Sequence, residues 1–329
     1  MRSNMDEAQR AILLLRVRRR LKIAAVLIGV LALAVVLIYF AAPQWILRAD
    51  NAWQAHQAQL DRKTIQVGDT RWAYYEGGHG PPLVLLHGYM GDRETWLDVA
   101  RYLTPNFRVI VPDLPGWGQS QRSVNADYSY TAQVQRLNQF ADALHLGAFA
   151  LAGHSMGGAI AGVYAASDPQ RVAALILIDS GGVPFKENAF THGLRSGRNP
   201  FDVTSRADFE KLERDLFAKP PWIPGRIEDI FVDRTVKDRA FDDRVLREIA
   251  APDQRNALTS ALSKITAPTL TIWCRQDRII DVSAVDAIRV GLTQAPKIDV
   301  TEFNGCGHMS IMERPKEIAD AITRFVLAP

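Results

Sequence analysis

The sequence predicts an α/β fold: a mostly parallel, eight-stranded sheet flanked by helices, with one inserted helical cap and one N-terminal membrane-spanning helix. Three observations carry this. Short continuous apolar runs, LVLL (83–86), ALILI (174–178) and LTIW (270–273), suit strands buried on both faces of a parallel sheet. Helical patterns alternate with them in a βαβ rhythm. Ahead of both, residues 23–42 form an uncharged apolar run of 20 residues.

The N-terminal run comes first. A helix of that length covers about 30 Å, the thickness of a bilayer's hydrocarbon core. It is too long for the apolar core of a signal peptide, and Pro43-Gln44-Trp45 follows it in place of a small-residue cleavage site. Residues 1–22 hold seven basic residues, Arg2, Arg10, Arg16, Arg18, Arg19, Arg20 and Lys22, against Asp6 and Glu7. On the other flank only Arg48 precedes Arg62. The positive-inside rule therefore predicts a basic cytoplasmic segment (1–22), a transmembrane helix (23–42) and all later residues on the far side, which for a bacterial inner-membrane protein is the periplasm. Ala25 and Gly29 form a small-xxx-small pair suited to pairing two copies as a homodimer. Residues 43–62 read as a partly amphipathic juxtamembrane helix on the membrane surface.

The net charge of +3 is local to that segment. The other 307 residues carry 32 basic and 34 acidic side chains, which excludes a nucleic-acid partner. Two cysteines exclude a disulfide-dense scaffold and a multi-cysteine metal site, so neither cofactor nor metal is expected.

Expected strands are 64–67, 71–76, 83–86, 108–111, 148–152, 173–178, 269–273 and 298–303. Expected helices lie at 94–103, 131–144, 156–167, 284–291 and 315–326. Residues 183–266 break the rhythm, with helical pieces at 206–216 and 244–250 and turns at KPPWIP (219–224). Their Phe190, Phe201, Phe217, Trp222, Phe231 and Leu246 call for packing, so this segment reads as a cap between two parts of one core, 63–182 and 267–329.

The chemistry centres on Gly153-His154-Ser155-Met156-Gly157, a G-x-S-x-G motif between a buried strand and a small-residue helix. A sharp strand-to-helix turn requires small neighbours and lifts the serine oxygen to a helix N-terminus. Serine needs a base. Of seven histidines, His56 is juxtamembrane, His79 lies in a Gly-rich turn, His145 ends a helix and His192 sits in the cap. His154 adjoins the serine as a structural residue, and His87 belongs to the loop after LVLL. His308, on the glycine-rich turn Asn304–Gly307 after the last strand, is the base that remains. Asp277 follows LTIW by a short turn and is the expected acid, with Asp281 its near rival and Asp179 a distant one. The chain order Ser155, Asp277, His308 fits this sheet type. The amides of Tyr89 and Met156 are the expected oxyanion donors. The turn Asp113–Ser120 reads as structural support for the site.

Together these residues resemble the α/β-hydrolase superfamily over residues 63–329. IWCRQDRIIDVSAVDAI, NGCGHMSIMERP, GHSMGGAIAGVYAA and the single anchor narrow the likeness to membrane-anchored monoacylglycerol-lipase-like enzymes and bacterial lipases and phospholipases A. The resemblance implies hydrolysis of acyl esters of amphiphilic lipids: monoacylglycerols, lysophospholipids, phospholipids or shorter-chain esters. It departs from the family pattern at Cys274, where glycine is usual. Cys274 and Cys306 fall on neighbouring loops; an oxidising periplasm would allow them to pair, but the expectation is two buried free thiols. A C–C bond hydrolase or perhydrolase would keep the same triad, though an anchor is unusual there. Epoxide hydrolases and haloalkane dehalogenases have aspartate in place of Ser155. A membrane-tethered binding module on a dead hydrolase fold would lack a triad member, and none is lacking here.

Overall fold

The computed structural model describes residues 7–327. Arg2 and Asp6 of the basic segment lie outside the described residues. The described residues form two units, residues 7–50 with 223–230, and residues 51–222 with 231–327.

In the first unit, helix α1 runs unbroken over Glu7–Ala41 and is long and apolar enough to cross a membrane. The basic side chains at 10–22 prolong this helix rather than precede it. Ala42 interrupts it, and α2 covers Pro43–Gln57. Arg226 reaches the end of α1, donating its N–H to the Tyr39 hydroxyl (3.2 Å) and a guanidinium N–H to the Phe40 carbonyl (3.1 Å). The juxtamembrane helix stops short of residue 62. Strand β1 (Leu60–Val67) takes over because its backbone pairs along its whole length with β2 (Thr70–Gly77), around a tight turn at Gly68 and Asp69.

Strands β3 (Pro82–Leu86), β4 (Arg108–Pro112), β5 (Phe149–His154), β6 (Val172–Ile178), β7 (Thr269–Cys274) and β8 (Ile298–Phe303) complete one sheet in the order β1-β2-β4-β3-β5-β6-β7-β8. β2 runs antiparallel to β1 and β4, and all other neighbours are parallel. A 3-10 turn (Arg93–Trp96) leads into α3 (Leu97–Leu103); α4 is Tyr130–Ala143 and α5 Met156–Ser167. Between β6 and β7 lie α6 (Ala189–Arg195), α7 (Arg206–Leu216), α8 (Gly225–Ile249) and α9 (Ala257–Leu262), with no strand among the described residues. α10 (Ala284–Gly291), α11 (Ser310–Glu313) and α12 (Pro315–Leu327) close the chain.

Alternation along each strand splits the core in two. Val84 and Leu86 face one side with α4, α5 and α10. Leu83 and Leu85 face the other with α3 and α12. Covering both faces explains why the central strands read as unbroken apolar runs. The chain goes from β3 to β4 on one side and then returns across β3 to β5. The loops after β3 and β5 therefore part at a crevice at the strands' C-terminal ends, the position where open α/β sheets bind ligands.

Candidate active site

Ser155 sits at the turn from β5 into α5 with φ 55° and ψ −118°, a left-handed conformation uncommon for a residue with a side chain. Its backbone is locked there. The Ser155 N–H donates to the Ile178 carbonyl (2.9 Å), and its own carbonyl accepts from the N–H groups of Gly158 (3.0 Å), Ala159 (3.2 Å) and Gly181 (3.0 Å). The small neighbours are a steric requirement. A Cβ on Gly153 would overlap the Gly157 carbonyl, one on Gly157 would fall 2.5 Å from the Leu86 and His87 oxygens, and one on Gly158 would fall 2.7 Å from Ser180 Cβ.

Three predicted residues from three loops meet here. His308 Nε2 lies 2.9 Å from Ser155 Oγ, and His308 Nδ1 lies 2.8 Å from Asp277 Oδ2. The second Asp277 oxygen accepts the N–H groups of Ile279 (2.8 Å) and Ile280 (2.9 Å). Both residues are buried. Burial lowers the His308 pKa to about 3, keeping the imidazole neutral. Burial also raises that of Asp277, while the two amides favour its charged form. With the imidazole proton on Nδ1 facing Asp277, Nε2 is the acceptor presented to the serine hydroxyl.

The rival acids do other work. Asp281 accepts from the Ser283 N–H (3.0 Å) and ends the turn ahead of α10. Asp179, fully buried after β6, accepts the Cys274 N–H (3.0 Å) and the Ser310 hydroxyl, so it joins the end of β7 to the start of α11. His154 donates from Nε2 to the His308 carbonyl (2.7 Å), a contact to the backbone of the predicted base.

Gly88 packs on the serine so closely that a Cβ there would lie 3.0 Å from Ser155 Cβ, and Tyr89 follows it. Met156 opens α5, where the first amides have no partner within the helix. The loop carrying Tyr89 is held by the turn that follows β4. The Leu114 N–H donates to His87 Nε2 (2.9 Å), so the His87 proton is on Nδ1, which donates to the Gly88 carbonyl (2.8 Å). Asp113 accepts the Arg93 N–H (2.8 Å), an Arg93 guanidinium N–H (3.1 Å) and the Gln119 N–H (2.7 Å). Arg234 of α8 pairs with Asp92 at 2.7 Å. Arg93, Asp92 and Arg234 are not singled out by sequence; a charge next to a candidate oxyanion loop has no pattern that separates it from a solvated one.

Cys274 and Cys306 form a disulfide, with Cα atoms 5.5 Å apart, in place of the expected free thiols. The register of β7 against β8 pairs Cys274 with Phe303, and the turn from Phe303 brings Cys306 back over it.

This geometry defines a class: an open α/β sheet with a Ser–His–Asp chain at its carboxyl edge. The chain belongs to the Alpha/beta hydrolase family, which it matches over residues 83–321. It is 31% identical over 281 residues to Lipase 1 of Psychrobacter immobilis, covering 83% of this chain and 86% of that one. It is 32% identical over 260 residues to a monoacylglycerol lipase of Homo sapiens, 76% of each chain. Among solved structures, a membrane phospholipase A described as a bacterial virulence factor superposes with a TM-score of 0.83 at 34% identity, covering 93% of this chain and 97% of that one. The protein is thus a lipase-like hydrolase with an apolar N-terminal helix.

Proposed function

We propose that the protein is a membrane-anchored serine hydrolase that cleaves the carboxylic esters of amphiphilic lipids, among them monoacylglycerols, lysophospholipids and phospholipids. The observation that carries this is the continuous hydrogen-bond chain from Ser155 Oγ through His308 to Asp277. Ser155 Oγ attacks the ester carbonyl as its proton passes to His308 Nε2. The oxyanion of the tetrahedral intermediate is met by the N–H groups of Tyr89 and Met156. Collapse expels the alcohol, which takes the proton from Nε2 and leaves an acyl group on Ser155. Water, deprotonated by the same nitrogen, releases the fatty acid. Asp277 stays ionised, holding the Nδ1 tautomer and stabilising the imidazolium.

Residues 183–266 act as a helical lid over this site. Helix α1 anchors the hydrolase with its basic end in the cytoplasm and the catalytic unit on the far side of the membrane, and the Ala25/Gly29 face pairs two anchors. Lipid ester is the substrate class favoured by the relatives' activities and by an anchor that keeps the enzyme where amphiphiles concentrate.

The test is Ser155→Ala with a fluorophosphonate probe and a panel of monoacylglycerols, lysophospholipids and diacyl phospholipids. Labelling of Ser155 is expected in the unsubstituted protein, and loss of labelling with a fall in kcat on the order of 10⁴–10⁶ in the folded variant. Near wild-type turnover would mean a different nucleophile.

A further inference from the structure

β7 and β8 end level, with Cys274 beside Phe303 and the Arg275 N–H donating to the Phe303 carbonyl (2.9 Å). Beyond that point the two chains diverge, one to Asp277 and the other through Asn304-Gly305-Cys306-Gly307 to His308. The second turn has two glycines in four residues, and Gly305 is at φ 74°. A turn of this composition has little stiffness of its own. The Cys274–Cys306 bond crosses the gap three residues before Asp277 and two before His308. Both cysteines are fully buried.

We propose that the Cys274–Cys306 disulfide is the covalent positioning element that, beside the Gly305 N–H donating to Gln276 Oε1 (2.8 Å), holds the acid-bearing and base-bearing turns together, and that full turnover requires its formation in an oxidising compartment. The proposal rests on the roles given above to Asp277 and His308. A catalytic hydrogen bond of 2.8 Å tolerates displacements of only a few tenths of an ångström, and a misplacement of about 1 Å costs about 10²-fold in rate. The cytoplasm keeps thiols reduced, whereas the compartment beyond the membrane oxidises them. The disulfide therefore supports a catalytic unit on the oxidising side, opposite the basic flank of α1, and so agrees from independent chemistry with the topology that the basic flank predicts. Closing it takes two electrons and two protons from the thiols and delivers them to a disulfide oxidant, which leaves as two thiols. Because both sulfurs are buried, a reductant in solution does not reach the bond once the domain has folded. It is a staple set during maturation, not a reversible switch.

The experiment uses the full chain in detergent. Alkylation after unfolding is expected to modify neither cysteine until a reductant is added; free thiols in the mature protein would overturn the proposal. Unfolded protein is then refolded with glutathione disulfide or with dithiothreitol, and the double variant Cys274→Ala/Cys306→Ala is assayed beside it where circular dichroism shows it folded. The reduced form and the variant are expected to lose about 10- to 100-fold in kcat on p-nitrophenyl butyrate with KM changed by no more than about twofold. A wild-type kcat in either one would show that the bond serves stability alone. Dithiothreitol added to the folded, oxidised enzyme should leave its rate unchanged, and a rapid loss would overturn the staple. Ser155→Ala is run alongside: activity that survives there refutes the triad, while free thiols refute only this proposal.

Discussion

Replacing Asp277 by asparagine separates what its two oxygens do. Oδ1 accepts the Ile279 and Ile280 amides at 2.8 and 2.9 Å, and an asparagine carbonyl oxygen keeps both bonds. Flipping the side-chain amide would face its NH₂ against two N–H donors, so the NH₂ is forced to the position of Oδ2. That position lies 2.8 Å from His308 Nδ1. Nδ1 must then accept, and the imidazole proton moves to Nε2, facing Ser155 Oγ at 2.9 Å. The ring retains its place but has no lone pair for the serine proton. The expected loss in kcat is about 10⁴-fold, or about 5.5 kcal/mol of transition-state stabilisation, with KM and melting temperature little changed. Asp281→Asn is the control. Its oxygen only accepts the Ser283 N–H, which an asparagine accepts equally well, so kcat should stay within about twofold. Both variants are assayed on p-nitrophenyl butyrate, with circular dichroism to verify folding. An Asp277→Asn enzyme within about tenfold of wild type, or a larger loss at Asp281→Asn, would refute the tautomer argument.

The acid limb of the kcat/KM profile should have its midpoint below the ordinary histidine value of about 6.5. The reaction needs the neutral imidazole, and burial lowers the His308 pKa, so protonation and loss of activity come only as the pH falls through that lowered value. A midpoint above about 6.5 would show the carboxylate of Asp277 outweighing burial. On the proposed reading of α1 as an anchor that contributes effective concentration and no catalytic group, a form beginning near residue 43 should keep its kcat on a soluble ester and lose most of its rate on lipid in vesicles. An unchanged ratio of the two activities would leave the helix a role in localisation alone.

What was legible in the sequence follows from how local its causes are. The central strands were readable because burial on both faces leaves only apolar residues, and α5 because its small residues are imposed by the turn at Ser155. β1 was half hidden. Its first residues, LDRK (60–63), carry no alternation, and pairing with β2, including Lys63 to Glu76 at 2.9 Å, overrides their composition. α8 is legible over its last residues only, because most of its 25 positions are charged or polar and a glycine following the proline-rich KPPWIP turn opens it. The short helices α6, α9 and α11 fall below the length at which a period shows. Ser155, His308 and Asp277 are legible as candidates because each follows a strand end in a motif of its own, and the structure brings the three side chains together. The disulfide was not, because it depends on the register of β7 with β8 and on a separation of 5.5 Å that spacing alone does not reveal.

The support beneath the candidate oxyanion loop shows why polar groups are buried here at all. Asp113 and the Arg93 side chain are both almost fully buried, and burial pushes the Asp113 pKa up to about 6 while Arg93 opposes it. Taking two charges out of water costs several kcal/mol per ion, so such a pair is a poor source of stability, and well-packed apolar residues would often do as well. What apolar residues would not supply is direction. Asp113 accepts from the Arg93 backbone, the Arg93 guanidinium and the Gln119 backbone at once, and His87 accepts from Leu114 while donating to Gly88. Each bond fixes an orientation as well as a distance; three of them join the loop after β3 to the loop after β4, and the other two brace each loop on itself. The loop so held is the one that packs Gly88 onto Ser155. An amide aimed at a developing oxyanion is useful only if it need not reorganise when the charge appears. On this argument the buried ion pair contributes to preorganisation, and the cost of burying it falls on the stability of the fold.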